Sequence, residues 1–156
     1  MLDRKAYEKL DYTLCLLSAR ADGKAGGCII NSFHQVTSSF PAKFTIAVNR
    51  DNATTELVEK AGSFCVTLLA YDAPESIIKD FGYRSGRVAD KFAGYSPKTD
   101  AAGNPYLSEH MVSRVSCRVL DKVEVGNYTV YVAQATEAEV FSAAPVLTLN
   151  AFTERG

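Results

Sequence analysis

The chain has 156 residues, 47% of them apolar and 22% charged, with a formal net charge of −1. That balance excludes a disordered chain and fits one globular domain, residues 1–156, with a sizeable core. A charge so near zero excludes a nucleic-acid binder working through a basic face, and no apolar stretch is long enough to span a bilayer.

The start, Met1-Leu2-Asp3-Arg4-Lys5, has charges with no apolar run behind them, so no signal peptide and no membrane contact are expected, and the expected location is cytoplasmic. Cys15, Cys28, Cys65 and Cys117 form no Cys-x-x-Cys pair and lie in apolar neighbourhoods, which reads as buried free thiols. With His34 and His110 the only histidines, a His-rich metal centre is ruled out, and no metal is expected.

Asp3 to Leu10 reads as a short helix with Ala6, Tyr7 and Leu10 on one side. Tyr12 to Ala19 reads as a buried strand. Asp22-Gly23-Lys24 is a turn, since Asp-Gly favours positive φ, and Ala25 to Ile30 returns as a second strand. Gly26-Gly27 inside it marks either a close approach by another backbone or ligand, or a bulge. Next comes a polar stretch, Asn31 to Pro41, then a strand from Lys43 to Val48. Asn52 or Thr54 caps a helix over about Ala53 to Ala61, with Leu57 and Val58 inward, and Gly62 stops it. Ser63 to Leu69 has the β-branched and aromatic content of a strand. Asp72-Ala73-Pro74-Glu75 reads as a capping box, with Asp72 at the cap and Glu75 third, leading a helix that carries Ile77, Ile78 and Phe81.

Gly82 to Gly94 reads as a loop and Tyr95 to Pro105 as turn-rich. Met111 to Val125 alternates over a long run, with Val115, Cys117, Val119, Val123 and Val125 on one face and a bulge near Leu120, where Asp121 breaks the pattern. Gly126-Asn127 is a hairpin turn. Tyr128 to Val140 is the partner strand, and Leu147 to Phe152 a last short one. Long antiparallel strands dominate and helices are few, so the fold class is mainly β: a β-barrel with peripheral helices rather than a doubly wound sheet.

Three stretches carry chemistry. Asn31, Ser32, Gln35, Thr37, Ser38 and Ser39 offer many donors and acceptors without a charge. That suits a planar polar ring, and equally a surface loop. The helix start at Asn52-Ala53-Thr54-Thr55, with Arg50 before it, suits a phosphate, but taken alone these residues read first as ordinary caps. Ser85, Arg87 and Lys91 surround Gly86 with two cations and a hydroxyl, which can close on a phosphate or pair across the surface. No Gly-x-Gly-x-x-Gly turn, no Gly-x-x-x-x-Gly-Lys-Ser/Thr loop and no Gly-x-Ser-x-Gly is present. His34 has no obvious nucleophile or carboxylate partner.

Gly27-Cys28-Ile29-Ile30-Asn31-Ser32-Phe33-His34-Gln35-Val36-Thr37, Pro41, Ala47-Val48-Asn49-Arg50-Asp51-Asn52-x-Thr54, Gly62-x-Phe64 and Phe81-Gly82-x-x-Ser85-Gly86-Arg87-x-x-Asp90-Lys91-Phe92 occur in order. Together they resemble the flavin reductase-like, FMN-binding split-barrel family, which includes flavoredoxins and the reductase components of two-component monooxygenases. The resemblance runs from about Tyr12 to Phe152. It implies a split β-barrel of Greek-key type, assembled as a homodimer with FMN (or FAD) near the interface. Carried over, Asn31, Ser32 and Phe33 line the isoalloxazine ring, largely through backbone groups, and Gln35, Val36, Thr37 and Ser38 meet the ring edge and ribityl chain. Asn49, Arg50, Asn52 and Thr54 reach the phosphate, and Ser85, Arg87 and Lys91 close on it from the other side.

The resemblance further implies an NAD(P)H:flavin oxidoreductase, with NADH or NADPH as donor and no classical catalytic residue. The alternative is an electron-transfer flavoprotein serving a redox protein such as rubredoxin without binding a nicotinamide. One departure bears on this choice. Many members carry Gly-Asp-His near the nicotinamide site, where this chain has Gly126-Asn127-Tyr128. Tyr128 can stack but is no cation near neutral pH.

Overall fold

The computed structural model describes residues 1–82 and 90–155; Ser85 and Arg87, expected at a phosphate, lie outside the described residues. The short helix expected over Asp3 to Leu10 is a 3-10 helix, Arg4–Lys9, that buries none of its side chains. Strands β1 (Cys15–Ala21) and β2 (Lys24–Ile30) make a hairpin turned by Asp22 and Gly23, both at positive φ. β3 (His34–Thr37) and β4 (Lys43–Asn49) form a second hairpin, so part of the polar stretch is a strand. Helix α1 (Ala53–Ala61) follows, capped by Asn52 and stopped by Gly62 at φ +67. Then come β5 (Ser63–Leu69) and α2 (Glu75–Gly82). The carbonyl of Pro74 accepts the first-turn N–H of Ile77, so Glu75 opens the helix instead of sitting third.

The two-residue strands β6 (Lys98–Thr99) and β7 (Pro105–Tyr106) pair beside the main sheet. The long strands β8 (Met111–Val125) and β9 (Tyr128–Val140) turn at Gly126. After single bridges at Val146 and Thr148, the chain ends in α3 (Leu149–Arg155). The strand expected over Leu147 to Phe152 is therefore a helix for most of its length. Leu149 and Phe152 are three apart, one helical turn, and both pack on the same apolar cluster.

The main sheet has the order β2-β1-β5-β8-β9-β4-β3, with every pairing antiparallel. Its two outermost strands, β2 and β3, are consecutive in the chain, with only Asn31, Ser32 and Phe33 between them. A sheet of this width has its edges that close only if it curls round on itself. Among the described residues no ladder joins β2 to β3 or β4, so the curled sheet is a barrel split along one seam. Cys15, Leu17, Cys28, Ile30, Ile46, Val48, Phe64, Val66, Cys117 and Tyr131 fill its interior, with Val58 of α1. Leu14, Leu16, Leu69, Ile77, Ile78 and Phe81 form a second cluster outside it under α2.

Strand alternation explains this division: β1 sends Cys15 and Leu17 inward and Leu16 outward, with Leu14 just before it on the outer side too. Gly26-Gly27 is a close approach and not a bulge, because the β1–β2 register runs unbroken. A Cβ on Gly26 would stand 2.7 Å from Leu57 Cδ1 of α1, and one on Gly27 would stand 3.2 Å from the Phe81 ring.

The bulge near Leu120 is present, as a register shift between Val119 and Asp121. Its consequence overturns the expected single apolar face of β8. An extra residue inverts the alternation, so beyond it Lys122 and Glu124 stand opposite Tyr131 and Thr129. Val123 and Val125 turn outward and are 54% and 55% exposed.

Candidate functional site

The seam of the barrel is a cleft of about 250 Å³. β3 reaches along β4 only as far as Thr45, so Ala47, Val48 and Asn49 have no ladder partner on that side. Across the gap, Cys28, Ile29 and Ile30 of β2 are likewise paired only with β1. Both sets line the cleft, together with Leu14, Asn31, Ser32, Asn52 and Tyr128. Ser32 spans the seam: its Oγ donates to the Ala47 carbonyl at 2.7 Å and accepts from the Ala47 N–H at 3.3 Å. One hydroxyl thus does for Ala47 what a ladder partner does elsewhere. Ser32→Ala is expected to lower stability by about 1–3 kcal/mol, because it leaves two partly buried backbone groups unpaired, and urea denaturation reads the change.

At one end of the cleft α1 begins. Asn52 Oδ1 accepts from the Thr54 N–H at 2.9 Å, Asn49 Oδ1 from the Asp51 N–H at 2.9 Å, and Thr55 Oγ1 donates to the Asn49 carbonyl at 2.7 Å. These bonds fix the helix start against the end of β4. Asn52 therefore caps and also faces the cleft. Thr54 is only 2% exposed and lies beneath. There, burial pushes the Cys28 thiol above its ordinary 9.0, opposed by hydrogen bonding to Thr54, the charge of Lys91 and hydrogen bonding to Asn52. Cys28 and Asn52 line the cleft, and Lys91 binds the carbonyl of Gly27, the residue before Cys28. All four cysteines are buried and free, and burial raises the thiols of Cys15 and Cys117 to about 12 and that of Cys65 to about 11.

Of the residues expected at a ligand, Asn31, Ser32, Asn49 and Asn52 are brought together in the cleft. Phe33 turns its ring into the barrel and stacks on Phe44 with centroids 4.8 Å apart. Its side chain leaves the cleft, and only its backbone is near. Gln35, Val36, Thr37 and Ser38 run along and past β3, outside the lining. Gln35 Nε2 donates to the Thr37 carbonyl at 2.8 Å, and Thr37 Oγ1 accepts from the Lys43 N–H at 3.1 Å. Lys91 is buried, with its ammonium donating to the carbonyls of Gly27 at 2.9 Å and Phe81 at 3.1 Å.

Arg50 donates to the Tyr128 carbonyl at 3.2 Å and faces a second cavity of about 310 Å³ between α1 and the β8–β9 tip. In that cavity Glu59 holds the Tyr131 hydroxyl at 2.5 Å and pairs with Lys122. Lys122 foremost, then Tyr131, keeps the Glu59 carboxyl below its ordinary value.

Residue types alone gave no reason to pick Leu14 and Cys28 as lining residues. Tyr128 was visible only as a departure from the family pattern.

None of the described side chains lining the cleft is charged. The titratable groups among the described lining residues are the Cys28 thiol and the Tyr128 phenol. The walls offer an apolar floor, amide and hydroxyl groups at the rim, and one aromatic ring. This donor set fits a planar, uncharged heterocycle whose edge alternates donors and acceptors. The volume, just below the range of about 300–1,000 Å³ typical of whole ligand pockets, fits a ring system with the remainder of the molecule extending toward the start of α1.

The chain is 33% identical over 147 residues to the ferric-chelate reductase (NAD(P)H) of Archaeoglobus fulgidus, an alignment covering 94% of this chain and 86% of that protein. It is 32% identical over 139 residues to the high molecular weight rubredoxin of Moorella thermoacetica, covering 89% of this chain and 60% of the longer protein. Among solved structures, the Streptomyces globisporus C-1027 NADH:FAD oxidoreductase SgcE6 superposes with a TM-score of 0.83 at 18% identity, over 95% of this chain and 91% of that one. That likeness is one of fold, a mainly antiparallel split barrel with few helices. The profile described as flavin reductase like domain matches residues 7–153, nearly the whole sequence, and on that match the chain belongs to the flavin reductase-like family of oxidoreductases.

Proposed function

We propose that the seam cleft holds FMN, with FAD as the other candidate, and that the protein passes electrons from NADH or NADPH through it to an acceptor. The observation that carries this reading is the uncharged cleft ending at a helix start. Its neutral walls suit the ring, and the start of α1 suits a phosphate through the positive end of the helix dipole, the Thr54 and Thr55 N–H groups being already taken by Asn52. Asn31, Ser32 and the backbone of Phe33 hold the ring edge. Gln35, Val36, Thr37 and Ser38 flank it from β3. Asn49 and Asn52 take the phosphate end, with Arg50 beside them. Thr54 and Lys91 support the floor from below. When bound, the flavin supplies an acceptor for an electron pair that it can release singly or together. The chain's own part is to bind, orient and shield.

The outward-turned Val123 and Val125, with Tyr128 beside the cleft, form an apolar sheet face that suits a second copy, and we assign the homodimer contact there. The acceptor class is a ferric chelate if the Archaeoglobus relative is a guide. The Moorella relative favours a second reading, in which a rubredoxin-like protein exchanges electrons with the flavin and no nicotinamide binds. The neutral Tyr128 is compatible with either.

The test is an absorbance spectrum of the purified protein, reconstituted with FMN, before and after anaerobic addition of NADH and then NADPH. Bleaching within seconds is the expected result and names the donor. A flavin spectrum indifferent to both, but bleached by a reduced rubredoxin, replaces the first reading with the second. A protein that takes up no flavin removes both.

A further inference from the structure

A third cavity, of about 450 Å³, opens between the first turn of α2 and the chain that links β7 to β8. It shares no lining residue with the seam cleft, and its volume lies within the range of about 300–1,000 Å³ typical of ligand pockets. Ile77 and Leu107 give it an apolar floor that continues into the cluster under α2. Tyr95 forms a wall whose ring is itself held. Its hydroxyl donates to Asp80 of α2 at 2.6 Å, and its ring centroid lies 5.4 Å from that of Phe81.

On the rim stand a cation, Lys98 of β6, and an anion, Glu109. Among the described residues neither makes an ion pair, with the other or with any third group, whereas Glu75 at the nearby helix start is paired with Lys79. The Met111 N–H donates to the Ser108 carbonyl at 3.4 Å and closes a turn through Glu109 and His110. His110 has φ +63, the left-handed conformation that a turn gives most readily to glycine at this position. Its carbonyl accepts the Ala70 N–H at 2.9 Å, which ties the turn to the end of β5. The segment carrying Glu109 is therefore fixed, and it keeps an imidazole at the cavity where bare backbone would be easier.

A plain anion would be drawn to Lys98 and repelled by Glu109, and a plain cation the reverse. A molecule that answers both rim charges over an apolar floor carries both charges and an apolar tail. We infer that this cavity binds a zwitterionic α-amino acid with an apolar side chain. Lys98 and His110 take its carboxylate, Glu109 takes its ammonium, and its side chain lies on Ile77, Leu107 and Tyr95. The inference does not depend on the flavin reading of the seam cleft.

Calorimetric titration of the purified protein, with and without saturating FMN, tests it. The probes are L-leucine, isocaproate (leucine without its ammonium) and isopentylamine (leucine without its carboxylate). Leucine is expected to bind with a Kd of about 1 mM or below, alike with and without FMN, and both analogues at least about tenfold more weakly. Lys98 and Glu109 are exposed, so Lys98→Met and Glu109→Gln keep the fold. Each is expected to weaken leucine binding at least about tenfold and to leave FMN affinity unchanged. No leucine binding at about 10 mM overturns the inference. An analogue that binds as tightly as leucine replaces the zwitterion with a plain ion and overturns it too, as does undiminished leucine binding in either variant. Competition between leucine and FMN moves leucine to the seam cleft and overturns the site.

Discussion

Lys91→Met is expected to lower folding stability by about 2–4 kcal/mol, because it strips the ammonium from two carbonyls in the protein interior. Lys91 is only 6% exposed. One of its hydrogen bonds reaches Phe81, in the last turn of α2, where a cation also meets the negative end of the helix dipole. The other reaches Gly27 of β2, next to Cys28 on the cleft floor. The methionine keeps much of the stem's apolar packing, so the loss reports on the hydrogen bonds. Urea denaturation gives the stability change, and an unchanged midpoint would show that the ammonium is not the tie between α2 and β2. Flavin binding separates the two possible roles of this lysine. An internal tie that shapes the floor predicts that affinity for FMN and for riboflavin falls together. A direct phosphate contact predicts that only FMN affinity falls. The distances favour the first outcome.

The same lysine shows where the sequence stops being legible. Near Ser85 and Arg87 a cation reads naturally as a phosphate ligand. Its ammonium also reaches a carbonyl 64 residues away in sequence, which no local pattern announces. Arg50 is a parallel case, with its carbonyl partner 78 residues distant.

Local signals translated well. Asn52 and Gly62 bound α1 because a side-chain acceptor and a positive φ are local demands. Asp22-Gly23 and Gly126 turn the hairpins for the same kind of reason. The bulge at Leu120 was visible in the broken alternation, but its effect on the faces of Val123 and Val125 needed the register with β9. The last segment misled because Leu147-Thr148-Leu149 alternates like a strand. The contacts of Leu149 and Phe152 decided for a helix. The cleft itself is a product of topology. It exists because β2 and β3 are the two edges of one curled sheet and because β3 is too short to cover β4. The polar stretch pointed Asn31 and Ser32 at a planar polar ring, while the helix start pointed Asn52, and the family resemblance Asn49, at a phosphate; the structure brings all four to one cleft. Residue types did not foretell that Leu14, Cys28 and Tyr128 would join them.

On the other face of β8, away from the seam, Arg114→Met is expected to cost about 2–3 kcal/mol and leave flavin affinity unchanged. The Arg114 guanidinium donates to Glu139 at 2.9 Å, to Glu137 at 3.0 Å and to Ser116 Oγ at 3.0 Å, over the Tyr106 ring at 4.4 Å. Ser116 in turn donates to the buried Asp100 at 2.7 Å, and Asp100 also accepts from the Asn104 N–H at 2.8 Å. This network fastens the β6–β7 hairpin to β8 and β9. Removing one partner of a fully buried pair costs about 3–5 kcal/mol, but the Glu139 side chain is 48% exposed, so water takes over part of its loss.

The pH dependence gives an independent reading. The Ala101 N–H first, and Arg114 after burial is overcome, hold the Glu137 carboxyl below its ordinary 4.5. A carboxyl depressed in the folded state adds stability that is full above its unfolded value and is lost as pH falls through the folded one. Wild type therefore loses stability on acidification below 4.5, while Arg114→Met, with part of that depression already gone, loses less. The difference between the two proteins should narrow when urea midpoints are compared at about pH 7 and about pH 4. A constant difference would mean that Arg114 acts through packing on Tyr106 and not through its carboxylates.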